Sequence, residues 1–243
     1  PKFITIWLDF AQKVRKNKDS NRREVERKLN QITSDIKRFH SSIPIYVWYT
    51  SITQMLSRIS HSHSDSVELL KAIISKVAEA YPEHSLWYIL SHLNSNDLNR
   101  KARVGQILSQ VESASSSLSD KVLGAKTLFS TLISIVNFKV DKRNLKPMSL
   151  SSDFNIKNLG EPYDCLAIPV ASNLEIKSPT LKYDYRNAFP KSSMITFDGF
   201  DDVVNVFHSL QVPKQLTVRG SDAKPYRLMV KKDDTRKDAK VVE

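Results

Sequence analysis

The chain has 243 residues, a formal net charge of +11 and one cysteine. That length holds one large domain or two smaller ones. The lone Cys165 excludes an internal disulfide framework and suits a reducing compartment, and no apolar run approaches the about 18 residues of a membrane span. Nor does Pro1-Lys-Phe-Ile-Thr5 resemble a signal peptide, and a chain without an initiator methionine reads as an excised piece. No glycine precedes Gly105, and seven of the 10 prolines lie between Pro147 and Pro225. The first part is therefore open to long helices, while the second is punctuated like loops and strands.

From residue 3 to about 137 the apolar spacing is helical nearly throughout. Phe3, Trp7, Phe10, Ala11 and Val14 form one stripe, and Val25, Leu29, Ile32 and Ile36 form the next. Pro44 opens a third helix with Trp48, Ile52, Met55, Leu56 and Ile59. Val67, Leu70, Ile73, Ile74, Val77 and Tyr81 make a fourth, which ends at Pro82. Leu86, Trp87 and Leu90 follow, then Val104, Ile107, Leu108 and Val111, and lastly Val122, Leu128, Leu132, Ile133 and Val136. The expectation is about seven amphipathic helices packed as antiparallel pairs, a helical-repeat array without a sharp repeat consensus.

Lys139 to about Pro190 is rich in Pro, Ser, Asp and Asn, with strand-like runs only at Asp164–Pro169 and Leu181–Tyr185. Ile195–Phe200 predicts a strand. Asp201 or Asp202 then serves as N-cap of a short helix whose stripe is Val203, Val206, Phe207 and Leu210. Beyond it, Leu216, Val218, Leu228 and Val230 alternate with polar residues around Gly220-Ser-Asp-Ala-Lys224, the pattern of a half-buried hairpin. Asp233 or Asp234 can cap a further helix carrying Asp238. The layout is a long helical array, a linker, and the opening of an α+β domain.

The basic charge invites a nucleic-acid reading. The basic residues are interleaved with acids, however, and Lys13–Lys28 suits the solvated ends of two helices and their connection. His61 and His63, two residues apart near the end of a helix, point in different directions with no Cys or further His nearby in sequence, whereas a zinc site needs three or four converging ligands. Trp7, Trp48 and Trp87 occupy core stripes rather than a base-stacking face, and Cys165 reads as a small buried residue. Lys231 taken singly is a solvated charge. Its context, a glycine turn before it and carboxylates one helical turn apart after it, makes a phosphate-site candidate. No Walker A or Gly-x-Gly-x-x-Gly motif accompanies it.

Gly199-Phe-Asp-Asp202, Ser209-Leu-Gln211, Pro213-Lys214, Gly220-Ser-Asp222, Tyr226 and Asp233-Asp-Thr-Arg-Lys-Asp238 together resemble the phosphatidylinositol-3-kinase-related protein kinases. The resemblance is to the ATR-type DNA-damage checkpoint kinases, in a version similar to that of budding yeasts. Ser57-Arg-Ile-Ser-His-Ser-His63, Ala80-Tyr-Pro82 and Ile6-Trp-Leu-Asp9 carry the same resemblance. It implies a mainly α fold: the C-terminal part of a FAT helical-repeat (α-solenoid) domain over 1–137, a lead-in linker with short strands over 138–195, and the start of an α+β kinase N-lobe over 196–243.

By the same resemblance, Leu216–Asp222 matches the glycine-loop equivalent, with Gly220 and Ser221 near the ATP phosphates. Lys231 matches the lysine on the α- and β-phosphates, and Asp238 its acidic partner. The family places two residues between that lysine and the Asp-Asp pair. Here only Lys232 stands there, which makes Lys232 the alternative, and Thr235 stands where leucine is usual. The implied activity is phosphoryl transfer from ATP, with Mg²⁺ or Mn²⁺, to Ser/Thr followed by Gln, in the nucleus, in DNA-damage and DNA-repair signalling. The implied partners are the rest of the kinase chain, a regulatory subunit, protein activators and protein substrates in a dimeric assembly. Neither membrane nor direct nucleic-acid contact is expected. The catalytic and metal-binding loops are expected beyond Glu243, leaving this piece inactive by itself. The competing expectation, from a different class, is a non-catalytic basic helical scaffold for nucleic acid or partner proteins.

Overall fold

The computed structural model describes residues 2–16, 21–141, 146–156, 163–169, 171 and 194–232. They fall into two compact units, one running to Val122 and the other starting at Leu123. The division lies inside a helix, whereas the sequence suggested a boundary near 137.

The first unit is helical. α1 (Lys2–Lys16) buries Ile4, Trp7, Leu8, Ala11 and Val14. Their spacing of three and four residues puts them on one face. α2 (Arg22–Phe39) turns Leu29 and Ile36 inward, and the Trp7 indole N–H donates to the Thr33 hydroxyl at 3.2 Å, so the buried ring keeps its polar edge satisfied. On the outer face of α2, Glu24 and Lys28 pair at 2.8 Å, the solvated arrangement expected of that mixed-charge run.

The third expected helix is two. α3 (Ile45–Tyr49) and α4 (Ile52–Ser57) are separated at Thr50 and Ser51. The Thr50 hydroxyl turns back onto the Val47 carbonyl at 2.7 Å, a local bond that competes with helix continuation.

α5 (Ser64–Ala80) and α7 (Leu98–Ala114) pack together, and Val67, Leu70 and Ile74 on the one and Val104, Ile107 and Val111 on the other are buried. Lys71 and Ser75 on α5 donate to Gln106 and Gln110 on α7 at 2.8 and 3.1 Å. α6 (Pro82–Ser91) begins on Pro82, where a missing N–H costs nothing. Within this unit Glu83, almost fully buried, is paired with Lys121 at 2.8 Å. No helix among the described residues is long and apolar enough to cross a membrane.

α8 (Ser116–Asn137) extends into the second unit. There Gly124 lies against buried Cys165, and a Cβ at Gly124 would stand 3.2 Å from the Cys165 sulfur. The sheet contains β1 (Met148–Ser149), β2 (Tyr163–Ala167), β3 (Thr196–Val206), β4 (Lys214–Gly220) and β5 (Pro225–Val230). All its pairings are antiparallel, in the order β1-β3-β4-β5, with β2 also on β3.

The helix expected over Asp201–Leu210 does not form. β3 runs unbroken through Asp201 to Val206, paired with β4. The spacing of Val203, Val206, Phe207 and Leu210 fits a helix, but three of the six residues from 201 to 206 are valines, whose branched side chains suit a pleated strand. β4 supplies the ladder that a local helix would have to outcompete. Two register shifts let β3 bend, one at Gly199, whose φ of 156° is open to glycine. Asp202 caps no helix. Its carboxylate accepts from the Ser151 N–H at 2.8 Å, and its carbonyl from Leu150, closing the turn after β1. Bonding to Ser149 and to the Ser151 N–H holds that carboxyl below its ordinary range. The Leu181–Tyr185 run lies outside the described residues.

Candidate nucleotide phosphate site

The hairpin expected around Gly220 is present, with Leu216 and Val218 fully buried on its inner face. Its turn is closely knit. Gly220 N–H donates to the Lys224 carbonyl at 2.9 Å and Ala223 N–H to the Gly220 carbonyl at 2.8 Å, with Ala223 in a left-handed conformation at φ 62°. Asp222 is the centre of the turn. Its carboxylate accepts from the Tyr226 hydroxyl at 2.8 Å and the Lys224 N–H at 3.2 Å, with the Lys224 ammonium 3.6 Å away. Desolvation pulls the Asp222 carboxyl upward, but these donors together outweigh it and hold the group below its usual range. The same bond raises the Tyr226 phenol.

Ser221 is occupied as well. Its N–H donates to the Thr196 carbonyl at 2.9 Å, and its hydroxyl accepts from the Thr196 N–H at 3.1 Å. Gly220 has no room for a side chain: a Cβ would lie 2.6 Å from Asp222 Oδ1, 2.7 Å from Tyr226 Cε2 and 2.8 Å from Ile195 Cγ2. These contacts give both residues a structural task inside the turn.

The antiparallel register separates that turn from Lys231. Lys214 pairs with Val230, and Arg219 with Pro225. Lys231 therefore leaves the sheet beside the start of β4, whereas Gly220 and Ser221 lie at its other end. Six residues of strand at about 3.3 Å each put roughly 20 Å between them, beyond the reach of a lysine side chain. The structure does not bring Gly220 and Ser221 to Lys231.

What it brings there is the β3–β4 connection. Val206 and Val230 flank Lys214 on the two neighbouring strands, so Phe207 and Lys231 emerge side by side across the sheet. At about 4.8 Å per strand spacing, their origins are roughly 10 Å apart. The connection, 207–213, is closed by Phe207 N–H to the Pro213 carbonyl at 3.0 Å and Val212 N–H to the Ser209 carbonyl at 3.2 Å. Val212 holds φ 45°, a costly conformation for a branched residue. Phe207, His208, Ser209 and Leu210 are exposed. Sequence reasoning assigned this stretch to a helix and so missed it. The available signal was Ser209-Leu-Gln211 followed by Pro213-Lys214, which reads equally well as a turn.

Asp233, Asp234, Thr235 and Asp238 lie outside the described residues. His61 and His63, set between α4 and α5 rather than on a helix, both serve backbone. The His61 ring nitrogen Nδ1 accepts from the His63 N–H at 3.1 Å, and the His63 side chain caps α5 at the Ser66 N–H. Among the described residues no three acids, histidines or cysteines converge on a metal position.

The family profile described as serine/threonine-protein kinase ATR-like, HEAT repeats, matches residues 31–136. The chain is 49% identical over 246 residues to the serine/threonine-protein kinase MEC1 of Candida albicans; the match covers all of this chain and 10% of that protein. The chain is homologous to a segment of the ATR-type checkpoint kinases. Protein kinase rad3 of Schizosaccharomyces pombe is 32% identical across all of this chain and 11% of its own length. The ATR kinase of Drosophila melanogaster is 28% identical, again across the whole chain and 10% of its own length. The chain thus spans about a tenth of the length of these ATR-type relatives. In fold it is similar to the solved FAT and kinase domain of CtTel1, with a TM-score of 0.68 over 98% of this chain, 15% of that one and 16% identity. It is likewise similar to the complete CtTel1 dimer with C2 symmetry, TM-score 0.68 over 98% of this chain and 8% of that one. The mainly α fold, a FAT region followed by the start of a kinase N-lobe, agrees with the expectation from the ATR-type resemblance.

Proposed function

We propose that this segment builds the triphosphate-facing end of the ATP site of a serine/threonine protein kinase, with Lys231 as the cation on the phosphates. The observation that carries the reading is the shared position of the 207–213 loop and Lys231 at one end of the sheet. A backbone turn closed by the Phe207 and Val212 N–H groups, with His208 and Ser209 exposed at its tip, is the reading's source of N–H groups for phosphate oxygens. A lysine beside it supplies charge. In this reading the loop takes the place that the sequence resemblance gave to Gly220 and Ser221, which hold the far turn together. Lys232 is the second candidate for the cation, and Asp238 is the proposed acid that orients whichever lysine acts.

ATP fits this end of the sheet by the chemistry of its donors. The accompanying Mg²⁺ or Mn²⁺ would polarise the phosphates, but its ligands are proposed to come from residues outside the described set. Positioning and charge stabilisation are the work assigned to this segment. Phosphorylation of Ser/Thr-Gln sites in DNA-damage and repair signalling, a nuclear location, a regulatory subunit and protein activators follow as proposals from the ATR-type homology. A dimeric assembly is proposed with them, supported by the dimer described for CtTel1.

The test is made in the full-length kinase that contains this segment. Lys231→Ala is expected to lower activity at least 100-fold while expression and oligomeric state are retained, and Lys232→Ala to lower it less than threefold. The reverse pattern would move the role to Lys232. Full activity in both variants would remove the lysine from the ATP site altogether.

A further inference from the structure

Lys214 is a lysine in a place built for an aliphatic side chain. It opens β4 on the inner face it shares with Leu216 and Val218, and it is 3% exposed. Among the described residues no carboxylate pairs with it. Its ammonium donates instead to the Val136 carbonyl at 3.4 Å. Val136 is the next-to-last residue of α8, and the last four carbonyls of a helix have no partner within it. A cation there is favoured by the helix dipole as well. Burial is unfavourable for an ammonium without a counter-charge, and it pushes this lysine below its ordinary range. A surface lysine could cap the same helix end without being buried.

The position of Lys214 in the sheet gives the burial a purpose. It is flanked by Val206 and Val230, the last residues of β3 and β5. Phe207 and Lys231 come next on those strands, and Pro213, immediately before Lys214, closes the 207–213 loop by accepting the Phe207 N–H. One side chain therefore joins the end of α8 to the residue at the root of the phosphate-facing loop. A shift of the helix end would displace the end of the sheet from which the 207–213 loop and Lys231 emerge.

We propose that Lys214 is a positioning residue that couples the C-terminal turn of α8 to nucleotide affinity, by pinning the end of the sheet from which the 207–213 loop and Lys231 emerge. This rests on the nucleotide reading above. Because coupling between two sites is reciprocal, nucleotide should steady the helix end as much as the helix end steadies the nucleotide site.

The experiment uses the full-length kinase. ATP is titrated at saturating peptide substrate for wild type, K214M and K214R. Amide hydrogen exchange is followed with and without a non-hydrolysable ATP analogue. K214M is expected to raise KM for ATP at least fivefold with kcat within twofold, and K214R to stay within twofold of wild type in both. In wild type the analogue should slow exchange at least threefold both at 207–213 and in the last turn of α8, and K214M should lose the second effect. An unchanged KM in folded K214M overturns the proposal. If K214M does not fold, the wild-type exchange decides: protection at 207–213 without protection at the end of α8 overturns the coupling and leaves the nucleotide reading standing. Protection at neither place overturns both.

Discussion

Lys214 stands directly opposite Val230 in the β4–β5 register, so Lys231 emerges where β4 begins and not where the hairpin turns. That one pairing decides which end of the β4–β5 hairpin lies beside the lysine. It sends attention from Gly220 and Ser221 to the 207–213 connection.

Ser221→Ala is accordingly expected to leave KM for ATP within twofold of wild type in the full-length kinase. It removes a hydroxyl that accepts from the Thr196 N–H, at a cost of roughly 0.5–1.5 kcal/mol for a part-buried bond. A tenfold rise in KM would restore Ser221 to the phosphate site.

Gly220→Ala should destabilise the hairpin by about 1–3 kcal/mol. The added Cβ meets Asp222, Tyr226 and Ile195 inside 3.0 Å, and Asp222 cannot swing away without releasing the Tyr226 hydroxyl and the Lys224 N–H. Hydrogen exchange across 214–230 should quicken, with little change at α5 and α7. Unchanged exchange would show that the turn yields at no cost.

Arg103 holds the α4–α5 connection by donating to the Ile59 carbonyl at 2.6 Å and the His61 carbonyl at 2.8 Å. Removing a charged donor that serves two carbonyls should cost about 2–3 kcal/mol. Arg103→Ala is expected to speed exchange at His61 and His63 and in the first turn of α5, and Arg103→Lys to recover part of the loss, since the shorter lysine must bring its one ammonium to the place where Nη1 serves both carbonyls.

The helical unit should lose stability in mild acid. Burial is the first cause that pushes His61, His84 and His92 below the ordinary histidine value. The unfolded chain therefore takes up protons first, so the stability of the neutral rings is fully present above the unfolded value of 6.5 and is lost as pH falls below it toward the depressed folded values. Thermal unfolding measured from pH 7.5 down to 5 should show the midpoint falling mainly below 6.5. A His84→Gln variant should flatten that fall, and a midpoint independent of pH would contradict the burial of these rings.

The helices were legible because their information is local. Trp7, Ala11 and Val14, or Leu70, Ile74 and Val77, declare a buried face through their spacing alone, and Pro82 marks one boundary by lacking an N–H. The hairpin was legible for the same reason, through Leu216, Val218, Leu228 and Val230. Asp201–Leu210 was misread because Val203, Val206 and Phe207 satisfy both a helical stripe and a strand. Only the partner strand separates the two. Thr50, a single hydroxyl turned onto its own backbone, was too small a signal to reveal the break between α3 and α4.

A helical array followed by a glycine-turned hairpin with a lysine behind it is written in the order of residues alone, since periodicity and turn chemistry act over a few residues. Which turn lies beside that lysine, and why Lys214 is buried, was set only when the elements packed together. Both depend on the register between strands and on where the end of a distant helix falls. Those are long-range choices: the chain makes them by burying whole faces together, and no short run of residues encodes them.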